Sequence, residues 1–328
     1  MKKGKIDLNN LNEVIKTYTG VQKKQTLLSS SIGEDSCLID LKSFDDDIML
    51  ISSDPITFTS KNIGKLSVII NTNDIYASGG LGYGIILNVF IPPNKTIDDF
   101  KNLMEEIHKE CIFHNLQILG GHTEVTDVVN DIVVSVTIIG TSKKKYVVKT
   151  SSSNKGDLIF LTKTLGIEGT VVLFDEFRCE LEKILTSNEI EEIEKFRDKI
   201  SIRKECEILR SLKISSMHDI TEGGLIGALF EMSMSSKNGF RIFKHNVNIH
   251  SVTKKICDYL KKDIYHLISS GNLLFTCEPK YENLIKTAFS NENMECFLIG
   301  EVIEGGKYII NEDFDKEIPL NISDSFFD

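Results

Sequence analysis

The sequence predicts two α+β domains joined by a short polar linker, and three observations lead to that prediction. Strand-like and helix-like segments alternate along the whole chain. The stretch from Thr141 to Lys155 contains a run of three lysines and then a run of three serines, as is typical of a linker. The alternation begins again after it with "GDLIFLT". We therefore expect one domain over residues 1–148 and a second over 149–328.

The predicted elements of the first domain follow directly from the apolar pattern. A helix is expected near "LNEVIKTY", and "SCLIDL" and "DIMLISS" are expected to form a hairpin joined by the turn "KSFDDD". A helix from Ile63 to Ser78 ends at Gly79 and Gly80, as helices often do. The strand "YGIILNVFI", the helix "TIDDFKNLMEEIHKECIFHN" and the strands "LQILG" and "DIVVSVTIIG" complete it. In the second domain, helices connect the strands "GDLIFLT", "GFRIF", "NLLFTC" and "FLIGEVI".

The composition excludes several classes of protein. The formal net charge is -10, from 38 Lys and Arg against 48 Asp and Glu, so we expect no nucleic-acid partner. The longest apolar runs, "IVVSVTII" and "GIILNVFI", are far shorter than the roughly 20 residues of a membrane span. The start "MKKGKIDLNN" lacks the apolar stretch of a secretory signal. Seven cysteines without a C-x-x-C pair indicate reduced thiols, so we expect a cytoplasmic protein without a membrane partner.

Asp74 interrupts a helix that is otherwise apolar. On a helical wheel it falls about 40° from the centre of the apolar face and borders a polar stripe that includes Asn71. A carboxylate half inside a core is costly unless it is paired or holds a metal ion. For Asp74 taken alone, the alternative is a hydrogen-bonded side chain that caps a neighbouring loop.

Four other stretches place acids or glycines beside apolar strand ends. In "SIGEDSCLI" they precede a strand, and in "LISSDPITF" Asp54 closes a strand and Pro55 forces the chain onward. In "ILGGHTEVTD" a Gly-Gly turn follows a strand, and in "MHDITEGGLIGALFEMS" Asp219 ends a strand and residues 221–224 open a helix. Each stretch alone is weak evidence for a functional site, because a Gly-Gly pair is usually a turn and an Asp after a strand is usually a cap.

Together these stretches have a common chemical use. Magnesium is often held by one or two carboxylates together with substrate phosphates. Glycines let backbone N–H groups approach phosphate oxygens, and a helix N-terminus adds its dipole. Converging acids would repel a polyphosphate unless metal ions lay between them. The P-loop pattern is absent, as are the kinase signatures "HRD" and "DFG", which excludes those two kinds of nucleotide site.

The ordered set of motifs resembles the PurM-like superfamily of aminoimidazole ribonucleotide (AIR) synthetase, nearest to its AIR synthase-related, HypE-like branch. The matching stretches, in order along nearly the whole chain, are "GEDSCLI", "SSDPITFTSKNIGKLSV", "NTNDIYASGG", "LGGHTEVT", "GDLIFLTKTLGIEGT", "MHDITEGGLIGALFEMS" and "SSGNLLF". The resemblance implies two α/β domains, with the N-terminal sheet forming a barrel-like core in a homodimer and the C-terminal domain forming an α/β sandwich. It also implies ATP and Mg²⁺ as ligands.

The resemblance also implies roles for individual residues. The implied magnesium ligands are Asp35, Asp54, Asp74, Glu124 and Asp219. The implied ATP contacts are Gly33, Glu34, Asp35, Asn73, Gly120, Gly121, His122, Thr123, Thr221, Gly223 and Gly224. Catalytic roles are implied for Asp74, Asp219 and Lys163, with a plain surface role as the alternative for Lys163. His122 stands where most of the family has a carboxylate, as in selenophosphate synthetases, and Glu124 is expected to supply the missing charge.

The resemblance leaves the reaction open between three functions. The first is a HypE-like enzyme that uses ATP to phosphorylate an amide- or carbamate-like oxygen of a small molecule or partner protein, as in hydrogenase maturation. The second is a small-molecule phosphate kinase resembling thiamine-monophosphate kinase, and the third is a nucleotide-binding maturation partner without turnover. In HypE a C-terminal cysteine carries the group that reacts, whereas this sequence ends "LNISDSFFD", so self-modification of that kind is not expected.

Overall fold

The structure is a computed structural model that describes residues 1–29, 31, 36–56, 62–305 and 324–325. It contains two compact units, one formed by residues 1–76 and 80–147 and the other by residues 77–79 and 148–328. Among the residues described, no helix combines the length and apolar character that crossing a membrane requires.

Helices and strands alternate through the described residues. The α-helices are α1 Leu8–Thr17, α2 Ile63–Ala77, α3 Ile97–Phe113, α4 Ile167–Glu176, α5 Arg178–Leu181, α6 Ser187–Phe196, α7 Arg203–Leu209, α8 Gly224–Ser236, α9 Ser251–Leu260 and α10 Glu282–Asn291. The strands are β1 Gly4–Lys5, β2 Thr26–Leu28, β3 Leu38–Ile39, β4 Ile48–Ile56, β5 Leu81–Ile91, β6 Gln117–Val125, β7 Val133–Ser142, β8 Leu158–Thr162, β9 Ser216–Asp219, β10 Gly239–Ile242, β11 Leu273–Cys277 and β12 Cys296–Ile303.

The first unit is built on a five-stranded sheet in the order β1-β6-β5-β7-β4, in which only the β5–β6 pair is parallel among the described strands. Alternate residues of each strand point to opposite faces. On one face Val89 and Val136 are buried beneath the helices. The opposite face is open and carries exposed apolar side chains on β4, where Ile51 is 64% exposed and Met49 is 45% exposed.

The predicted hairpin of "SCLIDL" and "DIMLISS" is wrong. The two-residue β3 pairs with β2, whereas β4 pairs with β7 from Ile48 opposite Ser142 to Ile56 opposite Val134 without a register shift. Nine consecutive residues of β4 thereby pair with a strand of similar length, which satisfies far more backbone groups than the short β3 offers.

Asp54 does not close its strand, as the sequence had suggested, because β4 continues through Pro55 to Ile56. Pro55 is tolerated there because β4 lies at the edge of the sheet, where a strand has one side without a partner strand. The side chain of Asp54 therefore takes its direction from the strand and lies on the same face as Ser52.

The second unit contains a five-stranded antiparallel sheet in the order β10-β12-β8-β11-β9. Phe160 of β8 stacks on Phe275 of β11 with ring centroids 5.1 Å apart, and both rings are fully buried. Leu229 and Met232 of α8 join the core on the other side of the sheet, with Phe240 among their neighbours. Asp219 is the last residue of β9, which is an edge strand, so its carboxylate lies at the end of that strand.

Candidate functional site

In the first unit, two polar side chains of α2 connect the helix to β4. Asp74 accepts a hydrogen bond from the hydroxyl of Ser52 at 2.5 Å. One turn earlier, the side-chain oxygen of Asn71 accepts from the backbone N–H of Asp54 at 2.9 Å, and its side-chain nitrogen donates to the Asp54 carbonyl at 3.3 Å. The polar stripe of this buried helix therefore faces β4 and fixes the backbone that carries Asp54.

This arrangement brings Asp54 and Asp74 to the same side of the sheet. Both carboxylates are partly exposed, whereas the neighbouring Asn73 is fully buried. Carboxylate oxygens are hard ligands of the kind that Mg²⁺ prefers, and Mg²⁺ commonly takes only one or two of them together with phosphate oxygens. Across the described residues, no group of three or more His, Cys, Asp or Glu side chains is arranged to hold a metal ion. Magnesium binding by Asp54 and Asp74 therefore stays a prediction.

The structure does not bring Glu124 to this pair within one chain. His122 and Glu124 lie on the open face of β6, with the His122 ring nitrogen Nε2 3.5 Å from a Glu124 carboxylate oxygen and both side chains nearly half exposed. His122 pairs with Asn88 in the register of β5, and Asn88 pairs with Ser135 of β7. The open face is opposite to the face that carries the predicted metal ligands on β4 and α2.

The Gly120-Gly121 pair is not a turn, in contrast to the expectation from sequence, but part of the continuous strand β6. Gly121 has φ +148°, and a Cβ atom at this position would lie 1.8 Å from the carbonyl oxygen of Leu87. The close approach of β5 therefore requires glycine here. Thr123 is partly buried beside Val89 in the same register.

In the second unit, a glycine turn joins the end of β9 to α8. Asp219 is 7% exposed, and Thr221 follows it before the two glycines. Gly223 and Gly224 both have positive φ, +77° and +61°, and a Cβ atom on Gly224 would lie 2.6 Å from the Leu267 carbonyl oxygen. Backbone N–H groups at such a helix start point toward any anion that approaches along the helix axis.

One of these N–H groups is bound by a carboxylate of the same chain. The backbone N–H of Gly223 donates to Asp324 at 2.9 Å. The next residue, Ser325, donates from its backbone N–H to the His266 carbonyl at 3.1 Å and from its hydroxyl to the Asp263 carbonyl at 2.9 Å. Asp324 and Ser325 are 6% and 3% exposed. Nothing in the motif pattern had indicated this contact.

Glu168 is a second acid near this turn that the sequence reasoning missed. It lies in the first turn of α4, is fully buried, and accepts a hydrogen bond from the Ser270 backbone N–H at 3.2 Å. The pKa of Glu168 is raised to about 7, chiefly by burial; hydrogen bonds from Ser270 lower it, and the charges of Asp324 and Glu222 contribute to the increase. An acid inside the apolar run "GIEGTVVLF" was the available signal.

Lys163 is held by backbone carbonyl groups and one acid. Its ammonium group donates to the carbonyl oxygens of Lys199, Ser201 and Gly271 at 2.8–3.0 Å and lies 2.8 Å from Glu205, which is 1% exposed. Desolvation lowers the pKa of Lys163, and Glu205 opposes that effect. Its catalytic role stays a prediction, since these contacts already account for a structural role.

The remaining predicted residues of the first unit, Gly33, Glu34 and Asp35, lie outside the described residues. The sequence also passed over Ser52, whose hydroxyl orients Asp74. In the sequence, the feature that could have indicated Ser52 is a polar residue at a position of β4 that points inward in the alternating pattern.

Two matches to known families cover most of the chain. Residues 33–142 match the N-terminal domain of AIR synthase related proteins, and residues 154–312 match their C-terminal domain. The chain therefore belongs to the AIR synthase related, PurM-like family. The predicted family and the predicted two-domain PurM-like fold are confirmed by these matches.

Similar proteins carry several functional names. A putative hydrogenase expression/formation protein of Methanocaldococcus jannaschii is 26% identical over 69% of this chain, which spans just under two thirds (65%) of that relative. A thiamine-monophosphate kinase of Buchnera aphidicola is 24% identical over 92% of this chain and 93% of its own length. The carbamoyl dehydratase HypE of Rhizobium leguminosarum is 21% identical, over 78% of this chain and 72% of its own length.

Solved structures share the fold. HypE of E. coli, a hydrogenase maturation protein, superposes with a TM-score of 0.79 at 18% identity, covering 96% of this chain and 97% of that one. A HypE structure in complex with ATP superposes with a TM-score of 0.72 at 17% identity, covering 88% of each chain.

Proposed function

We propose that this protein binds ATP with Mg²⁺ and uses it to phosphorylate and activate an amide- or carbamate-like oxygen of a small molecule or partner protein. The observation that carries the proposal is the contact between Ser52 and Asp74, which orients a carboxylate on the same side of the sheet as Asp54. A relative that bears the name carbamoyl dehydratase supports the choice of acceptor.

The proposed chemistry is assigned for each unit separately. In the first unit Asp54 and Asp74 would hold a magnesium ion, and in the second unit Asp219 is the carboxylate for which the sequence predicts a metal-binding role. When bound, Mg²⁺ neutralises phosphate charge and polarises the phosphoryl oxygens. At the start of α8, the N–H group of Gly223 would bind a phosphate oxygen once Asp324 has left it, whereas the N–H group of Gly224 already donates to the Thr221 carbonyl at 3.2 Å. The acceptor oxygen attacks the γ-phosphorus, the bond to the bridging oxygen breaks and ADP leaves; positioning and electrostatics account for most of such catalysis.

A thiamine-monophosphate kinase-like activity is the second candidate. It is favoured by the relative of that name, which aligns over 92% of this chain. In that reaction the acceptor is itself a phosphate, and the phosphorylated product persists.

The chain is also proposed to form a homodimer through the open face of the first sheet. Ile51 and Met49 are exposed there, and Phe90 and Ile139 lie partly exposed on the same face. An apolar sheet face of this kind is stabilised when a second copy covers it.

The experiment that tests the proposal is calorimetric titration with ATP in the presence and absence of magnesium, followed by phosphorus NMR with carbamoyl phosphate and thiamine phosphate as acceptors. We expect magnesium-dependent binding. Free phosphate together with a dehydrated acceptor supports the first function, and a phosphorylated acceptor supports the kinase. Binding without turnover points to a nucleotide-binding maturation partner, and absence of binding contradicts the proposal.

A further inference from the structure

A cavity of about 610 Å³ opens in the second unit, where the start of β12 meets α9, α10 and the segment between β10 and α9. This volume lies within the range of small-molecule sites in proteins. None of the residues that line this cavity has a role in the proposed ATP chemistry.

The walls of the cavity are held by hydrogen bonds to β12 and to the segment that follows β8. The side-chain nitrogen of Asn246 donates to the Leu298 carbonyl at 2.9 Å. The carbonyl of Asn248 accepts from the Leu165 backbone N–H at 2.9 Å, and its side chain donates to the Lys163 carbonyl at 3.3 Å. The cavity is therefore already formed by the backbone and does not require a ligand to shape it.

The charge of the lining is positive. Lys254 and Lys286 contribute the charged side chains, and the described lining contains no carboxylate, in a chain whose net charge is -10; His245 also lines the cavity. Lys286 forms an ion pair with Glu282 at 2.7 Å. Lys254 has no ion-pair partner within the described part of the chain, so its charge is available to a ligand.

The rest of the lining is apolar or neutral. Val247, Phe297 and Leu298 provide apolar surface. Burial raises the pKa of the Cys296 thiol to about 12, so this side chain remains uncharged at neutral pH and does not repel an anion. A positive rim above an apolar wall suits a ligand with one anionic group and one apolar group.

The cavity and Asp219 lie at the same end of the strands of this sheet, since Asp219 ends β9 and Cys296 begins β12. Cys296 of β12 pairs with Thr162 of β8, whose hydroxyl accepts from the Leu273 backbone N–H, and Leu273 of β11 pairs with Asp219 of β9. Three strand spacings of about 4.8 Å therefore separate Cys296 from Asp219, which is about 14 Å. A small ligand in the cavity would not overlap a group bound at Asp219.

We propose that this cavity binds a small anionic molecule that carries a phosphate or carboxylate group beside a short apolar part. The site is distinct from the proposed nucleotide site, and the proposal does not depend on ATP binding.

Cys296 provides a reporter inside the cavity. The probes are phenyl phosphate and benzoate, with benzyl alcohol as the neutral comparison. The measurement is the rate of Cys296 alkylation by iodoacetamide, followed by peptide mass spectrometry, at a pH of about 9.5, where a small fraction of a thiol with a pKa of about 12 is the reactive thiolate. An anionic probe at about ten times its dissociation constant slows the reaction about tenfold by mass action. Protection by phenyl phosphate alone identifies a phosphate ligand, and protection by benzoate alone identifies a carboxylate ligand. The exposed Cys179 is the internal reference and should react at an unchanged rate.

The double variant Lys254→Gln/Lys286→Gln should bind the anionic probe about tenfold more weakly, because two exposed charges are lost. The matched control Lys213→Gln/Lys280→Gln changes the charge equally, outside the cavity lining, and should keep full protection. The proposal is overturned by any of three results: no protection by either anion, equal protection by benzyl alcohol or at Cys179, or undiminished protection in the Lys254→Gln/Lys286→Gln variant.

Discussion

The carboxylate of Asp324 accepts a hydrogen bond from the backbone N–H of Gly223 in the turn that begins α8. An anion at a helix N-terminus satisfies free N–H groups and interacts favourably with the helix dipole. The chain thus places its own carboxylate at the turn where the motif pattern predicts a phosphate. Binding of a phosphate at Gly223 would require this carboxylate to leave.

Replacing Asp324 should separate its contribution to stability, as a cap of α8, from its competition with a phosphate at Gly223. Asp324→Ala removes a capping carboxylate, so we expect the free energy of unfolding to fall by about 1 kcal/mol and the affinity for Mg-ATP to rise about fivefold. Urea unfolding and calorimetric titration measure the two changes. Ser325→Ala is the control, because it leaves the Gly223 hydrogen bond in place. Weaker nucleotide binding in Asp324→Ala would mean that Asp324 belongs to the nucleotide site.

Asp74→Asn should weaken magnesium-dependent ATP binding about 100-fold or more while the protein remains folded, since an amide keeps an acceptor for Ser52 but loses the charge. Ser52→Ala is the matched control: it keeps the carboxylate but removes its orienting partner, and about tenfold weaker binding is expected. Calorimetry with and without magnesium distinguishes the two variants. Unchanged affinity in Asp74→Asn would exclude this carboxylate from the site.

Lys163→Met should destabilise the second unit by about 3 kcal/mol, because it leaves the buried carboxylate of Glu205 unpaired. The double variant Lys163→Met/Glu205→Leu should recover much of that loss, since no buried charge remains. Denaturant unfolding of both variants gives the comparison. A Lys163→Met protein of normal stability that has lost turnover would support the catalytic role instead.

Glu168 should make stability fall as the pH rises. Its pKa in the folded protein is about 7, above the ordinary value of 4.5, so between these values the folded state binds more protons than the unfolded state. The free energy of unfolding should therefore decrease across this window, by about 3 kcal/mol in total. Urea unfolding at low and neutral-to-alkaline pH should show this decrease in the wild type, and Glu168→Gln should lack it. Parallel pH profiles would contradict the assignment.

Ile51→Asp should dissociate the proposed homodimer, because it places a charge among the exposed apolar side chains of the open face. Sedimentation velocity should show a dimer for the wild type and a monomer for the variant. Lys101→Asp, on α3 and away from this face, is the control and should remain dimeric. A monomeric wild type would end the proposal that a second copy covers the sheet.

Local patterns predicted many of the elements correctly. The α2 helix ends at Ala77, one residue before the expected end, and the following Gly79 has φ +78° as a helix-ending glycine requires. Asp219 ends β9 as expected, and Gly223 precedes α8. These features depend on the spacing of apolar residues and on backbone freedom of glycine, both of which are properties of short segments.

The failures concern strand pairing. The short turn after β3 favoured a hairpin with β4, and the Gly120-Gly121 pair favoured a turn. The choice of β7 as the partner of β4 depends on nine residues that lie far away in the chain. Gly121 is required by the approach of Leu87 from β5, which no local pattern reveals.

The sequence by itself determined the order of most helices and strands, the family, and the acids and glycines that indicate a phosphate-binding function, because apolar periodicity and motif order are properties of the sequence alone. Only the tertiary structure decided which of those acids share a face of the sheet, that Ser52 orients Asp74, and that Asp324 occupies the turn before α8. Hydrogen bonds between residues far apart in sequence depend on packing, and packing is settled by the whole chain at once.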